Sequence, residues 1–350
     1  VLNVLAFSLP YTSVGYATRS HGLAIGIKNA GWDIHPYTRP GFPYDFKPEL
    51  EGQTLPEQDD IDGITYRRMF DIERRGMNEV EYLQAAIIHL ARVIEQEQPE
   101  VVHAASNYVT ALPALIAARR LGVPFVYEIR GFWEVTRLSR DEAFENTPKY
   151  RFMQQFEGLV ARQADHVITI TTAMKEELLA RGVPDGKISI AFNSVDPARF
   201  VPRAPNKALA KRLGIPDGVP VIGYVGSFVD YEGLDDLIMA AAGLKQAGHD
   251  FRLLLVGDGA VFESLREQVH TLGLEDRTIL TGRVPHEEVE DYYSLVDIAP
   301  FPRKPWEVCE LVSPLKPFEA MALEKVVVVS STRALMEIVD HERNGLVFEK

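Results

Sequence analysis

Short uninterrupted apolar runs alternate along this chain with longer stretches in which apolar residues recur every three or four positions. Residues 1–7, 101–106, 124–130, 166–170 and 188–192 form a first group of runs, and 221–226, 251–257, 278–282, 298–301 and 326–330 a second. Many are continuous Val, Ile and Leu rather than alternating, the pattern of parallel strands covered on both faces. Between them the spacing predicts helices: Tyr82, Leu83, Ala86, Ile87, Leu90, Val93 and Ile94 fall on one stripe. Such alternation predicts βαβ units in doubly wound sheets, with about five strands in each half.

The pattern breaks over residues 196–206, where Pro197, Pro202 and Pro205 interrupt all periodicity. The expected organisation is two α/β domains, 1–196 and 197–350. Residues 40–62, rich in Gly, Pro and acid, read as a surface excursion. Open α/β sheets bind ligands at the carboxyl ends of their strands, so two facing sheets predict one shared cleft. The closing Asn344-Gly345-Leu346-Val347-Phe348-Glu349-Lys350 reads as a chain that continues, leaving the second domain truncated at its C-terminal end.

Composition narrows the function classes. The formal charge of -13, from 37 basic and 50 acidic residues, argues against non-specific nucleic-acid binding. One cysteine, Cys309, excludes an internal disulfide framework and fits a reducing, cytoplasmic setting. No apolar run approaches the ~20 residues of a membrane span. The basic stretch from Arg67-Arg68 to Arg74-Arg75 is interspersed with Asp71 and Glu73 and reads as a solvated surface, although contact with the inner face of a membrane stays open. Zinc spacing, a P-loop and a Ser/His/Asp motif are all missing, and Gly257-Asp258-Gly259 lacks the rest of a dinucleotide fingerprint.

The richest stretch is Glu310-Leu311-Val312-Ser313-Pro314-Leu315-Lys316-Pro317-Phe318-Glu319-Ala320-Met321-Ala322. Ser313 then Pro314 reads as a helix start, with Ser as N-cap and Pro at the first helical position. Unpaired N–H groups at such a start suit a phosphate. Lys316 in the first turn opposes the helix dipole, a conflict that a bound anion removes. Glu319, one turn on, is placed to accept from vicinal hydroxyls such as a ribose. An ordinary capped helix with solvent-facing Lys316 and Glu319 satisfies the same pattern.

The segment from Pro314 to Ala322, followed by the run at 326–330 and Asn344-Gly345-Leu346, resembles the donor-binding segment of retaining glycosyltransferases of family 4. Further matches keep the family's order: Asn193-Ser194-Val195-Asp196 with Arg199-Phe200, Gly223-Tyr224-Val225-Gly226, Val256-Gly257-Asp258-Gly259, and Thr281-Gly282-Arg283-Val284 followed by Val289, Tyr293 and Asp297. The resemblance is strong from about Asp165 onward and weaker before it. It implies the GT-B fold, two Rossmann-like doubly wound domains facing across a cleft. It implies a nucleotide-diphosphate sugar donor, with a UDP-sugar as default, no metal or other cofactor, and a sugar, glycan or lipid-linked acceptor.

On that template Glu319 binds the donor ribose, and Ser313, Pro314, Leu315 and Lys316 receive the diphosphate. Arg283 and Val284 contact the base, Gly226, Ser227 and Gly257 line the donor site, and Glu310 touches the donor sugar. Gly15, in the first loop, stands near the acceptor, where Tyr11, Tyr16, Phe132 and Trp133 are candidates for an aromatic platform.

The chain departs from the family in three places. Eight residues separate Glu310 from Glu319 where seven are usual. The loop Gly226-Ser227-Phe228-Val229-Asp230-Tyr231-Glu232-Gly233 lacks the usual Arg and Lys. Diphosphate charge then falls to Lys316, Arg303 or Lys304, the last two equally readable as a solvated loop. Arg130 stands near the place of a common His. It is a candidate for contact with donor phosphate or sugar, or for a structural pair with Glu128 or Glu134. His103 reads as a hydrogen-bonded structural residue. The leading expectation is a retaining glycosyltransferase. The alternatives are a non-catalytic nucleotide-sugar-binding scaffold, which the missing basic pair keeps open, and a sugar-nucleotide epimerase.

Overall fold

The apolar runs form the strands of two parallel sheets in the computed structural model, which describes residues 1–285 and 288–350. The chain divides into two compact units, Val1–Phe192 and Asn193–Lys350.

In the first unit the strands are β1 (Leu2–Leu5), β2 (His35–Thr38), β3 (Gln58–Ile61), β4 (Ile64–Arg67), β5 (Val102–Ala105), β6 (Phe125–Ile129), β7 (His166–Thr169) and β8 (Ile188–Ile190). Their order is β3-β4-β2-β1-β5-β6-β7-β8, parallel except for the β3–β4 hairpin. The chain winds outward first on one side of β1 and then on the other. The topological switch point therefore lies between β1 and β5, where such sheets offer a crevice. The helix Glu79–Glu97 buries Tyr82, Ala86, Leu90, Val93 and Ile94, the expected stripe, and opens with a capping box of Asn78 and Glu81.

Three expectations are corrected here. This sheet has eight strands, not about five. The segment at 40–62 is not wholly a surface excursion: residues 40–43 are buried, with Phe42 fully enclosed. The basic stretch is a solvated surface only in part: Asp71, Glu73 and Arg75 are exposed, but Arg68 is not. Arg68 is buried, donates to Asp59 at 2.9 Å and stacks among Tyr11, Phe42 and Tyr66.

The second unit holds β9 (Val221–Val225), β10 (Arg252–Val256), β11 (Thr278–Leu280), β12 (Ile298–Phe301), β13 (Val326–Ser330) and β14 (Leu346–Phe348), in the order β11-β10-β9-β12-β13-β14 and parallel throughout. Tyr224, Leu253, Leu254, Leu255, Ala299 and Val329 put the strands into one apolar core, flanked by helices that contribute Ile238, Ala241 and Ala320. No helix among the described residues is long and apolar enough to cross a membrane.

Candidate active site

In the second unit the sequence-predicted residues gather at the carboxyl ends of β9 and β12. Gly226 follows β9 with φ of +154°. A Cβ there would lie 2.0 Å from Lys316 Cε, so only glycine lets the lysine stem cross the strand end. Gly257 is equally constrained, because a Cβ would meet Gly226 O at 1.8 Å. Lys316 ends 3.3 Å from Glu232 Oε1 and 5.4 Å above the Tyr224 ring. Arg303 is buried beside Glu232, with Nε 3.7 Å from the same oxygen. Its Nη1 donates to Val312 O at 2.6 Å. Glu232 Oε2 and Arg303 Nε are buried without a hydrogen-bond partner. Burial alone would raise the Glu232 carboxyl, but Lys316 and Arg303 outweigh it and hold the group below its ordinary range. The arrangement is one buried carboxylate facing two cations, with donor capacity left on both.

The helix of this segment spans Lys316–Ala322, with Leu315 at the N-cap and Pro317 in the first turn. That corrects the expected start at Ser313 and Pro314. Ser313 does not cap, because Asn193 Nδ2 takes both its carbonyl, at 2.7 Å, and its hydroxyl, at 3.0 Å. Pro314 and Leu315 sit half-buried in the turn between. Glu319 is half-buried, beside the enclosed Tyr293. Burial raises its carboxyl against the pull of Lys316 and Arg199. Ser227 is exposed, and its carbonyl accepts from Tyr224 Oη at 3.2 Å. Past β11, Arg283 is exposed and Val284 packs on the core edge, next to the bridge between Gly257 and Gly282.

Two candidates are engaged elsewhere. Lys304 donates to Asp235 at 2.8 Å and to Asp236 at 2.6 Å. Glu310 accepts from Arg333 N at 2.9 Å and from Lys350 Nζ. With seven residues between, the partner position of Glu319 is Leu311, which is buried.

The first unit has its own charged cluster at the ends of β5 and β6. Glu128 is enclosed and meets Arg130 Nη2 at 2.6 Å, Arg19 Nε at 2.9 Å and His103 Nε2 at 3.4 Å. Burial would raise this carboxyl, but Arg130, His103 and Arg19 keep it well below its usual range. Arg130 also donates to Tyr16 O at 2.9 Å and Ser20 Oγ at 2.6 Å. Of the two partners open to Arg130, Glu128 is the one it takes; Glu134 pairs with Arg181 at 2.6 Å. His103 is held by Asn3 Nδ2 at 2.9 Å. Gly15 is exposed as the first residue of the helix Gly15–Asn29. Of the aromatic candidates, Phe132 is core and lies under Arg181, whereas Trp133 stacks on Phe7 with ring centroids 5.7 Å apart. Sequence reasoning missed Glu232. Its signal was an acid in a loop where cations were being sought, just ahead of a left-handed Gly233.

Among the described residues no group of three or more His, Cys, Asp and Glu side chains is placed to hold a metal ion. A largely parallel sheet with a charged cluster at its strand ends in each unit defines a pair of Rossmann-like domains. Comparison with known proteins agrees. A family described as glycosyl transferase 4-like domain matches residues 14–193, and one described as glycosyl transferases group 1 matches residues 206–350. The chain belongs to this glycosyltransferase family.

It is 28% identical over 234 residues to 2-deoxystreptamine glucosyltransferase of Streptomyces kanamyceticus, covering 65% of this chain and 59% of that protein. It is 29% identical over 258 residues to GDP-mannose-dependent alpha-mannosyltransferase of Mycobacterium tuberculosis, covering 74% and 62%. The match thus spans about three fifths of these curated relatives. Among solved structures it resembles Anabaena HepE in complex with UDP-glucose, with a TM-score of 0.72 and 18% identity over 99% of this chain and 85% of that one. The likeness shows a GT-B fold.

Proposed function

We propose that the chain is a retaining glycosyltransferase. It moves a sugar from a nucleotide-diphosphate sugar, a UDP-sugar by first choice, to a sugar, glycan or lipid-linked acceptor without a metal ion. The observation that carries this is the Glu232, Lys316 and Arg303 set at the end of β9, one helical turn from Glu319. Lys316 and Arg303 stabilise the charge that develops on the departing diphosphate, which is worth most in a partly dry site. Glu232 fixes both cations in place while leaving them N–H capacity.

Glu319 accepts from the ribose hydroxyls. Gly226, Ser227 and Gly257 line the donor site, Gly226 by letting the Lys316 stem cross the strand end, Ser313, Pro314 and Leu315 flank the diphosphate, and Arg283 and Val284 flank the base. The sugar–oxygen bond breaks toward the diphosphate, and a departing phosphate oxygen takes the acceptor's proton as the new bond forms on the same face. Arg130 acts as framework, tying Glu128 to the first helix. HepE was solved with UDP-glucose and a mannosyltransferase relative is named for GDP-mannose, so both nucleotides belong in the trial.

The test incubates the chain with UDP-glucose and with GDP-mannose, in EDTA, over an acceptor panel, and reads the product by proton NMR. Release of nucleoside diphosphate with an axial, α-configured linkage is expected. A β-configured product sinks retention; a requirement for added Mg²⁺ or Mn²⁺ sinks the metal-free reading.

A further inference from the structure

The topological switch point of the first sheet holds a second built site. A cavity of about 40 Å³ opens there, lined by Arg39 and Arg74 on one side and Asn107, Thr110 and Trp133 on the other. Its position follows from the winding: Arg39 comes directly after β2, and Asn107 opens the helix Tyr108–Arg120 just past β5. Thr110 sits in the first turn of that helix, 2% exposed, and its hydroxyl has no hydrogen-bond partner. A buried hydroxyl left unsatisfied costs on the order of 1–3 kcal/mol, so a ligand atom in the cavity is the economical explanation.

The charge of the cavity is positive. Arg39 and Arg74 share one carboxylate, Asp45, which Arg74 Nη1 meets at 3.1 Å on the same oxygen that Arg39 takes. Two guanidiniums and one carboxylate leave a net +1, and none of the lining residues is acidic. The first N–H groups of the helix are already taken, Tyr108 N by Glu157 and Val109 N by the Asn107 side chain, so the donors left for an anion are side chains. At the mouth, Trp133 lies parallel to Phe7, tilted 2°, and the 41%-exposed Phe46 packs on Phe7 at 4.7 Å.

We propose that this cavity binds a phosphate ester carried by the acceptor. The volume, on the order of one or two water molecules, admits an oxyanion head and not a sugar ring. The donors that converge there are the two guanidiniums and the Thr110 hydroxyl. That fits a tetrahedral phosphoryl group better than a flat carboxylate. The ring or isoprenoid chain of the ester then lies on the Trp133–Phe7 pair. The word acceptor rests on the glycosyltransferase reading, whereas the anion site stands on the first unit alone.

The test is calorimetric titration of the full chain with inorganic phosphate, glucose 6-phosphate, farnesyl phosphate and glucuronate. Wild type, Arg74→Gln, the near-isosteric Thr110→Val and Lys316→Ala are compared, with thermal unfolding confirming that each folds. The phosphates bind wild type and Lys316→Ala alike; Arg74→Gln weakens them about tenfold and Thr110→Val severalfold, in line with lost hydrogen bonds to a charged group. Stronger binding of farnesyl phosphate assigns a lipid-linked acceptor, and stronger binding of glucose 6-phosphate a soluble one. Phosphate binding that is absent, unchanged in Arg74→Gln and Thr110→Val, or lost only in Lys316→Ala overturns the proposal, as does glucuronate binding as tightly as phosphate. A failed donor reading shows separately, as absent nucleotide binding in the second unit.

Discussion

Both units bury a carboxylate between two basic side chains at the carboxyl end of a central strand, yet the two clusters are wired differently. Around Glu128 the guanidiniums are mostly engaged by the protein itself, although Arg130 Nε is buried without a hydrogen-bond partner. Arg19 donates to Glu128 and to Ala191 O at 2.9 Å; Arg130 donates to Glu128, Tyr16 O and Ser20 Oγ. Around Glu232, Lys316 has one anionic partner at 3.3 Å among the described residues, and Arg303 Nε has no hydrogen-bond partner. A closed cluster holds elements together. An open one keeps donors for a ligand. Formal charge is the same in both and each leaves one arginine Nε unpartnered, so it is the spare capacity of the Lys316 ammonium that separates site from framework.

Breaking the closed cluster costs stability. Arg130→Ala leaves Glu128 in the core with Arg19 and His103 but without its shortest ion pair, and should lower the unfolding free energy of the first unit by up to about 3 kcal/mol. Denaturant titration reads this, and nucleotide binding to the second unit should be untouched. Equal loss of nucleotide binding would mean that Arg130 serves the donor. Breaking the open cluster costs rate instead. Lys316→Ala should slow sugar transfer about 10²–10³-fold with little change in unfolding midpoint, as for loss of one donor to developing negative charge. A variant that unfolds and keeps full specific activity would put Lys316 with the framework.

A smaller effect comes from a third buried acid, Glu157, which accepts from Tyr108 N at 2.9 Å and from the Tyr127 hydroxyl. Burial and the nearby Glu134 push its carboxyl up to about 7 from 4.5. The native state then keeps a proton that the unfolded chain has lost. Stability of the first unit should fall by up to about 3 kcal/mol as pH rises from about 4.5 to 7, and stay level on either side. Glu157→Gln should remove that slope in urea titrations across the window. An unchanged slope would assign it to other groups.

The sequence made the second unit readable because its strands are mostly short apolar runs and many of its site residues cluster in one segment. The first unit was harder. β2 is His35-Pro36-Tyr37-Thr38, with a proline and few apolar residues, and β3 is Gln58-Asp59-Asp60-Ile61 on the sheet edge, too acidic to signal a strand. The Asp62-Gly63 pair between β3 and β4, with φ of +52° and +73°, was a hairpin signal that the acidic surroundings masked. The start of the Lys316–Ala322 helix was misplaced for another reason. Asn193 occupies Ser313 from 120 positions away, a contact that no local propensity reveals. Glu232 likewise acquires its meaning only when Lys316 and Arg303 arrive beside it in the fold.

The donor site in the second unit is the central claim, and calorimetric titration with UDP, GDP and ADP on wild type and Glu319→Ala tests it most directly. One nucleotide should bind wild type, and Glu319→Ala should weaken it at least about tenfold, as for loss of hydrogen bonds to a carboxylate. Absence of binding by all three, or equal affinity in the variant, would contradict it.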